Sequence, residues 1–155
     1  MTDLATNKTA LYDYQILEKF EAGLVLAGHE VKAIRNKQIS LKESYVTIRL
    51  SPKTKKPQAY LLNCHIARYR HAGHLADYDP RRSRRLLMHH KEINSLAGTI
   101  QQKGLTVIPL RVYTRGTKIK VEIGVGQGRK QFDKKELLKR RDLERDVRRQ
   151  LSLRG

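Results

Sequence analysis

FEAGLVLAGHEVKAIR, residues 20–35, is the stretch from which the fold is read. It opens on Leu24, Val25 and Leu26, residues that suit a strand, breaks at Gly28, and resumes with the spacing of a short helix. Gly23 and Gly28 flank the apolar run, which predicts close backbone packing at one end and a turn at the other. Beyond the turn Val31 and Ile34 share one helical face, while Lys32 and Arg35 make a second. Glu21 and Glu30 bracket the unit. In a chain dominated by positive charge, each must repel something or pair with something.

Working back towards the start, residues 11–17 alternate, with Tyr12, Tyr14 and Ile16 opposed to Asp13 and Gln15. That pattern predicts a half-buried strand continuing into the 24–26 run. Working forward, Tyr45 to Ile66 reads as a hairpin whose long basic tip is SPKTKKP, residues 51–57. Arg68 to Arg85 reads as an irregular cationic loop. Helical spacing then runs from Leu86 through Ile93 and Leu96 to Ile100, stopping before Gly104. Residues 106–112 and 118–125 are strands joined by the turn Arg115-Gly116-Thr117. In the second of them, Ile119, Val121, Ile123 and Val125 point in while Lys118, Lys120 and Glu122 point out.

Five or six strands with short helices between them, lacking regular βαβ alternation, predict a mainly β chain built as a small antiparallel barrel. The division expected is an N-terminal segment over residues 1–10, a barrel domain over 11–126, and a basic tail over 127–155. That tail sets eleven Lys and Arg against five Asp and Glu, with a thin apolar stripe of Leu143, Val147 and Leu151. Its i,i+4 pairs, favourable and unfavourable, are each worth about 0.2–0.5 kcal/mol and nearly cancel. The tail is therefore expected to lack structure alone and to become helical against a polyanion, a helix docked on the barrel being the alternative.

The whole chain of 155 residues carries 33 Lys and Arg against 15 Asp and Glu, a net charge of +18. So large an excess works against a compact fold and points to an anionic partner, nucleic acid ahead of an anionic membrane. No apolar run approaches the roughly 20 residues of a spanning helix, and residues 1–10 lack the apolar stretch of a signal peptide. The single cysteine, Cys64, excludes an internal disulfide, so a soluble, cytoplasmic protein is expected.

Arg81, Arg82, Arg84 and Arg85 form either a solvated loop or a phosphate clamp, and the net charge favours the clamp. Tyr78 and Phe132, beside basic residues, are the best candidates for stacking on bases. The glycines at 124, 126 and 128 fail the dinucleotide pattern because position 129 is Arg, and are read as a flexible joint. His71 and His74 in a cationic loop, the adjacent His89 and His90, and the lone Cys64-His65 pair do not make a zinc site. No nucleophile with its base and no acid–base carboxylate pair argues for catalysis.

Asn7-Lys8, EAGLVLAGHEVKAIR (21–35), DPRRSRRLLMHHKEI (79–93), KGLTVIPL (103–110), KVEIGVGQGRK (120–130) and FDKKELLKRRD (132–142) resemble the tmRNA-binding proteins, also called SsrA-binding protein or small protein B. The resemblance spans nearly the whole chain in order and spacing. It implies an oligonucleotide-binding-type barrel with short helices and a C-terminal tail. It also implies the family's task, which is to bind the tRNA-like end of transfer-messenger RNA and escort it to bacterial ribosomes stalled on a message without a stop codon. The barrel stands in for missing tRNA arms, and the tail enters the empty decoding centre and mRNA channel of the small subunit, folding there as a helix. A translation elongation factor takes part in delivery. No cofactor, metal or enzymatic activity is implied, and the free protein is expected to be a monomer.

By position, the resemblance puts Asn7, Glu21, Leu87, His89 and Lys120 at the RNA-facing surface; the charge run, read on its own, adds Arg81, Arg82, Arg84 and Arg85 as candidates for binding the same RNA. It puts Arg129, Lys130, Phe132, Asp133, Lys134, Lys135, Arg140, Arg141, Arg145 and Arg148 in the decoding-channel tail. The chain departs from the family pattern at several points. Asn36-Lys37-Gln38 lacks the glycine common after the opening helix, Lys135 replaces an Arg, and Phe132 stands where His or Tyr is frequent. Gln127 replaces a basic residue, and residues 51–57 are longer than a tight turn. The other reading, from a different class, is a ribosomal or ribosome-assembly protein with an oligonucleotide-binding barrel.

Overall fold

The computed structural model describes residues 2–69, 77–129 and 131–154. Nine strands and four helices follow one another along those residues. β1 (Thr2–Thr6) leads through α1 (Ala10–Asp13) to the long β2 (Tyr14–Leu24) and then α2 (Gly28–Arg35). β3 (Ile39–Ser40) precedes the hairpin of β4 (Tyr45–Leu50) and β5 (Pro57–Leu62). β6 (His65–Ile66), β7 (Arg84–Leu87) and α3 (His90–Ile100) come next, then β8 (Leu105–Arg115), β9 (Lys118–Gly128) and α4 (Gln131–Arg154).

Seven strands form one antiparallel sheet in the order β1-β8-β9-β2-β7-β5-β4, and β3 pairs with β6 separately. The sheet curls so that β4 lies against β8, yet among the described residues no ladder joins its two edges. The result is the mainly β, antiparallel fold with short helices that was expected, its sheet curled but open. Alternation fills its inside: Ile119, Val121, Ile123 and Val125 of β9 are all buried, together with Val107 and Val112 of β8. Ile93 and Leu96 of α3 and Ala33 and Ile34 of α2 cap the same core.

The unit at 20–35 forms largely as its spacing predicts, except that the strand stops at Leu24 and the helix begins at Gly28. Glu30 accepts from the Ala27 N–H at 2.9 Å, satisfying one donor of the helix start. At the other end Gln38 N–H donates to Ala33 O (3.0 Å) and Lys37 N–H to Ile34 O (2.8 Å), a Schellman ending. Lys37 takes the left-handed conformation (φ +60°) that this ending requires, at the place where the family's glycine is missing.

Several expected elements differ. Residues 11–17 do not start as strand: Ala10 is buried against Ile108 and Leu110, and a helical turn over Ala10–Asp13 delivers the chain to β2 at Tyr14. Residues 1–10 are not a separate segment, because β1 pairs with β8, buries Leu4 and ties Asp3 to Arg111 at 2.8 Å. Its polar composition is that of an edge strand with one inward apolar residue. The helix expected from Leu86 starts at His90; Arg84–Leu87 is instead a strand slotted between β5 and β2. Gly124 and Gly126 are no joint. A Cβ on Gly124 would sit 2.9 Å from Leu110 Cδ1, and one on Gly126 3.0 Å from Tyr14 Cβ, so both lie in β9 where neighbouring strands press closest.

In this structure the tail is helical from Gln131 to Arg154. It is not laid over the sheet. Lys134 pairs with Asp13 at 3.3 Å and lies over the Tyr12 ring, which seats the first turns on α1, while residues 138–151 are exposed. Leu143, Val147 and Leu151 face solvent, and Asp142 with Arg145 makes an i,i+3 pair at 2.8 Å. Local hydrogen bonds and that pair carry the helix, not burial.

Candidate nucleic-acid interface

One row of residues crosses the outer face of the sheet. Leu87 on β7 stands opposite Gly23 on β2, Gly23 opposite Lys120 on β9, and Lys120 opposite Tyr113 on β8. Gly23 makes the row close: a Cβ there would lie 3.3 Å from Leu87 Cβ and 3.7 Å from Lys120 Nζ. Leu87, 52% exposed, is a bare aliphatic surface held between cations. An open concavity gathers Glu21, Leu87, Met88, His89, Glu92 and Lys120. Four of the five residues that the resemblance assigns to the RNA surface thus meet at one place.

Glu21 in that concavity is already partnered. Its carboxylate accepts from the Tyr113 hydroxyl and from Arg115 Nη1 (2.8 Å). The Tyr113 bond, opposed by some burial and aided by Arg115 and Lys120, holds the carboxyl below its ordinary range. Burial, and then the hydrogen bond to Glu21, push the Tyr113 phenol up to about 12, so it stays a donor. Glu21 therefore orients cations and neutralises part of them. Arg111 covers the Tyr113 ring at 4.3 Å and pairs with both Asp3 and Glu122. His89 is exposed at the N-cap of α3, its N–H donating to Glu92 Oε1 at 3.1 Å. Lys120, Arg85 and His89 can reach phosphate or a 2′-hydroxyl while Leu87 packs on a ribose or base.

The basic run separates into two roles. Arg84 is fully buried and its guanidinium donates to Glu30 (2.6 and 3.0 Å), to Cys64 O (2.5 Å) and to Tyr78 Oη (3.1 Å). Arg82 also pairs with Glu30. Arg81 bonds Asn63 Oδ1 at 3.1 Å, and Arg85 is exposed. Of the four arginines expected as a clamp, Arg84 is turned inward onto Glu30 and cannot be part of one. Arg84 faces inward because strand alternation puts positions 84 and 86 inside. Tyr78, expected to stack on bases, is held by its hydroxyl to Ile66 O (2.8 Å) and by His29 edge-on at 4.7 Å between centroids. It belongs to the same internal network.

Asn7 lies apart from the concavity. Its Nδ2 donates to Pro109 O at 3.0 Å and its N–H to Leu110 O at 2.8 Å, in a groove with Lys42 and Tyr45. In the tail, Arg129 is tied to α1 by donating to Leu11 O (3.1 Å) and Asp13 O (2.9 Å). Phe132 and Asp133 fall within α4, and Lys135, Arg140, Arg141, Arg145 and Arg148 are exposed along it. Lys130, and the histidines at 71 and 74, lie outside the described residues. Cys64 is buried, and that burial pushes its thiol up to about 11, which removes it as a nucleophile. Tyr113 and Arg115 were not legible as site residues, since only the register of three strands brings them to Glu21.

Comparison with known proteins gives the same direction. The family model described as SmpB protein matches residues 4–153. The SsrA-binding protein of Gloeothece citriformis is 47% identical over 146 residues, 94% of this chain and 90% of the relative. That of Oleidesulfovibrio alaskensis is 45% identical over 148 residues, 96% of this chain and 91% of the relative. A solved structure described as "tmRNA-SmpB: a journey to the center of the bacterial ribosome" superposes with a TM-score of 0.64 at 39% identity, covering 81% of this chain and 84% of its own. A match of this extent, over the sheet, the outer-face row and the basic tail together, means that the chain belongs to the SmpB family of SsrA-binding proteins.

Proposed function

We propose that this chain binds transfer-messenger RNA and brings it to stalled ribosomes for trans-translation. The observation that carries the reading is the convergence of Glu21, Leu87, His89 and Lys120 around Gly23 on one exposed face. Such a face offers cations for phosphate, a donor for base edges or 2′-hydroxyls and an aliphatic platform, which suits folded RNA better than a small substrate. The extended α4, with Arg140, Arg141, Arg145 and Arg148 exposed, is the part that reaches small-subunit RNA in the decoding centre and mRNA channel. The body over 11–126, joined by β1, and the tail over 127–155 then divide the work.

The protein acts by binding and positioning, not by catalysis, as a monomer before it meets RNA, in the cytoplasm, with an elongation factor joining at delivery. Among the described residues no helix is long and apolar enough to cross a membrane. The test is RNA binding by the full chain and by Leu87→Ser, His89→Ala and Lys120→Ala, against transfer-messenger RNA and an unrelated RNA of similar length. Each substitution is expected to weaken the specific complex by about 1–2 kcal/mol, roughly five- to thirtyfold. Equal affinity for the two RNAs, or three variants indistinguishable from the parent chain, would overturn the proposal.

A further inference from the structure

A second groove runs beside the Leu87 concavity, between the tip of the β4–β5 hairpin and the β7–α3 junction. Thr54, Lys56, Pro57 and Gln58 form one wall; Arg85, Leu86, Leu87, Met88, His90 and Ile93 form the other and the floor. The described lining thus holds Lys56, Arg85 and His90 and no carboxylate. Leu87 and Met88 line both this groove and the concavity, so the two are one continuous surface. On the outer face Arg85 stands opposite Tyr60, and Gln58 opposite Arg49, which is also exposed. The acid nearest the boundary, Glu92, is engaged by the His89 N–H.

The tip is built, not slack. Ser51 is buried, Lys55 N–H donates to Ser51 O (2.8 Å) and Ser51 N–H to Lys56 O (2.9 Å). Lys55 holds a left-handed conformation (φ +55°), and Lys53, Lys55 and Lys56 all stay exposed. Three lysines on a formed turn lose less freedom on meeting phosphate than three on a loose loop. A cationic wall over a floor of exposed Leu87 and half-buried Met88 complements a phosphodiester strand whose sugars or bases rest on the apolar side.

We infer that this groove is a second RNA-binding site, in which the lysine tip grips the backbone of the same transfer-messenger RNA that occupies the Leu87 concavity. The inference rests on the function proposed above and adds to it a further stretch of the bound RNA. The commitment to that RNA comes from the continuity of the two surfaces through Leu87 and Met88.

The test uses the full chain carrying Lys53→Gln, Lys55→Gln and Lys56→Gln together, with the corresponding triple Lys→Arg variant as a rescue. Affinity for transfer-messenger RNA is measured across about 50–200 mM salt, where each phosphate contact contributes roughly 0.7–0.9 to the slope of log affinity against log salt. The Gln variant is expected to show a slope shallower by about 2, so that its loss of affinity at about 50 mM salt exceeds its loss at about 200 mM by roughly fifteenfold, with the Arg variant restoring both. A Gln variant with the parent slope would overturn the inference. So would a defect confined to ribosome binding, which would assign the tip to ribosomal RNA instead. Failure of the underlying function is separable: the parent chain would then show no preference for transfer-messenger RNA over unrelated RNA, whatever the tip variants did.

Discussion

Replacing Arg84 by Met removes the buried half of an ion pair and leaves Glu30 with too few donors. In the parent chain both side chains are fully buried, and Glu30 receives Arg84, Arg82 and the Ala27 N–H. Burial alone would raise the Glu30 carboxyl; the bonds from Arg82, Ala27 and Arg84 outweigh it and hold it at about 2, against an ordinary 4.5. A folded-state value below the unfolded one stabilises the fold fully above pH 4.5, and that contribution disappears as pH falls towards 2. The difference is worth about 3 kcal/mol at neutral pH. Arg84→Met also strips the donor from Cys64 O. Breaking a buried pair from one side costs about 3–5 kcal/mol, and for a chain of this size each kcal/mol moves Tm by about 2–4 °C. Thermal unfolding at pH 7 should therefore show a drop of roughly 6–20 °C. Adding Glu30→Gln keeps an acceptor for Ala27 while removing the stranded charge, and should recover about half of the loss or more. A loss below about 1 kcal/mol, or a double variant no better than Arg84→Met, would refute the pairing argument.

Other consequences follow from single contacts. Lys37→Gly should raise stability by about 0.5–1 kcal/mol, measured by urea unfolding, because Lys37 carries the left-handed conformation of the α2 ending at φ +60°. Gly124→Ala should lower it by about 1–3 kcal/mol in the same assay, since the added carbon meets Leu110 Cδ1 at 2.9 Å and Ile16 Cγ2 at 3.1 Å. Tyr113→Phe removes the hydroxyl that holds Glu21, so the Glu21 carboxyl should titrate at higher pH by NMR, and whatever stability it supplies should fade at higher pH than in the parent chain.

How far these features can be read from the chain depends on where their signals lie. The β9 strand was legible because Ile119, Val121, Ile123 and Val125 alternate with charges and all turn inward. Glu30 was legible as an acid in need of a partner, but the partner was not, because an arginine within RRSRR gives no sign of which member faces in. Arg84 is chosen by the register of β7 between β5 and β2, a property of three separated segments. The same cause hid β7 itself: a strand with a buried arginine breaks the apolar alternation on which strand recognition depends. β1 was hidden by its single inward apolar residue, Leu4. At the site, Gly23 announced close packing from its position alone, and Glu21, Leu87, His89 and Lys120 came from the family resemblance. Tyr113 and Arg115 needed the β8-β9-β2 register, which no local pattern encodes.

The division between an RNA-gripping body and a ribosome-probing tail is tested most directly by a chain ending at residue 130. Residues 138–151 are exposed, so the truncated body should fold. Its affinity for transfer-messenger RNA, measured beside its ability to release ribosomes stalled on a message without a stop codon, decides the matter. The account predicts RNA affinity within about threefold of the full chain, less than 1 kcal/mol, with release abolished. Release at the full-length level, or RNA binding lost along with the tail, would contradict it.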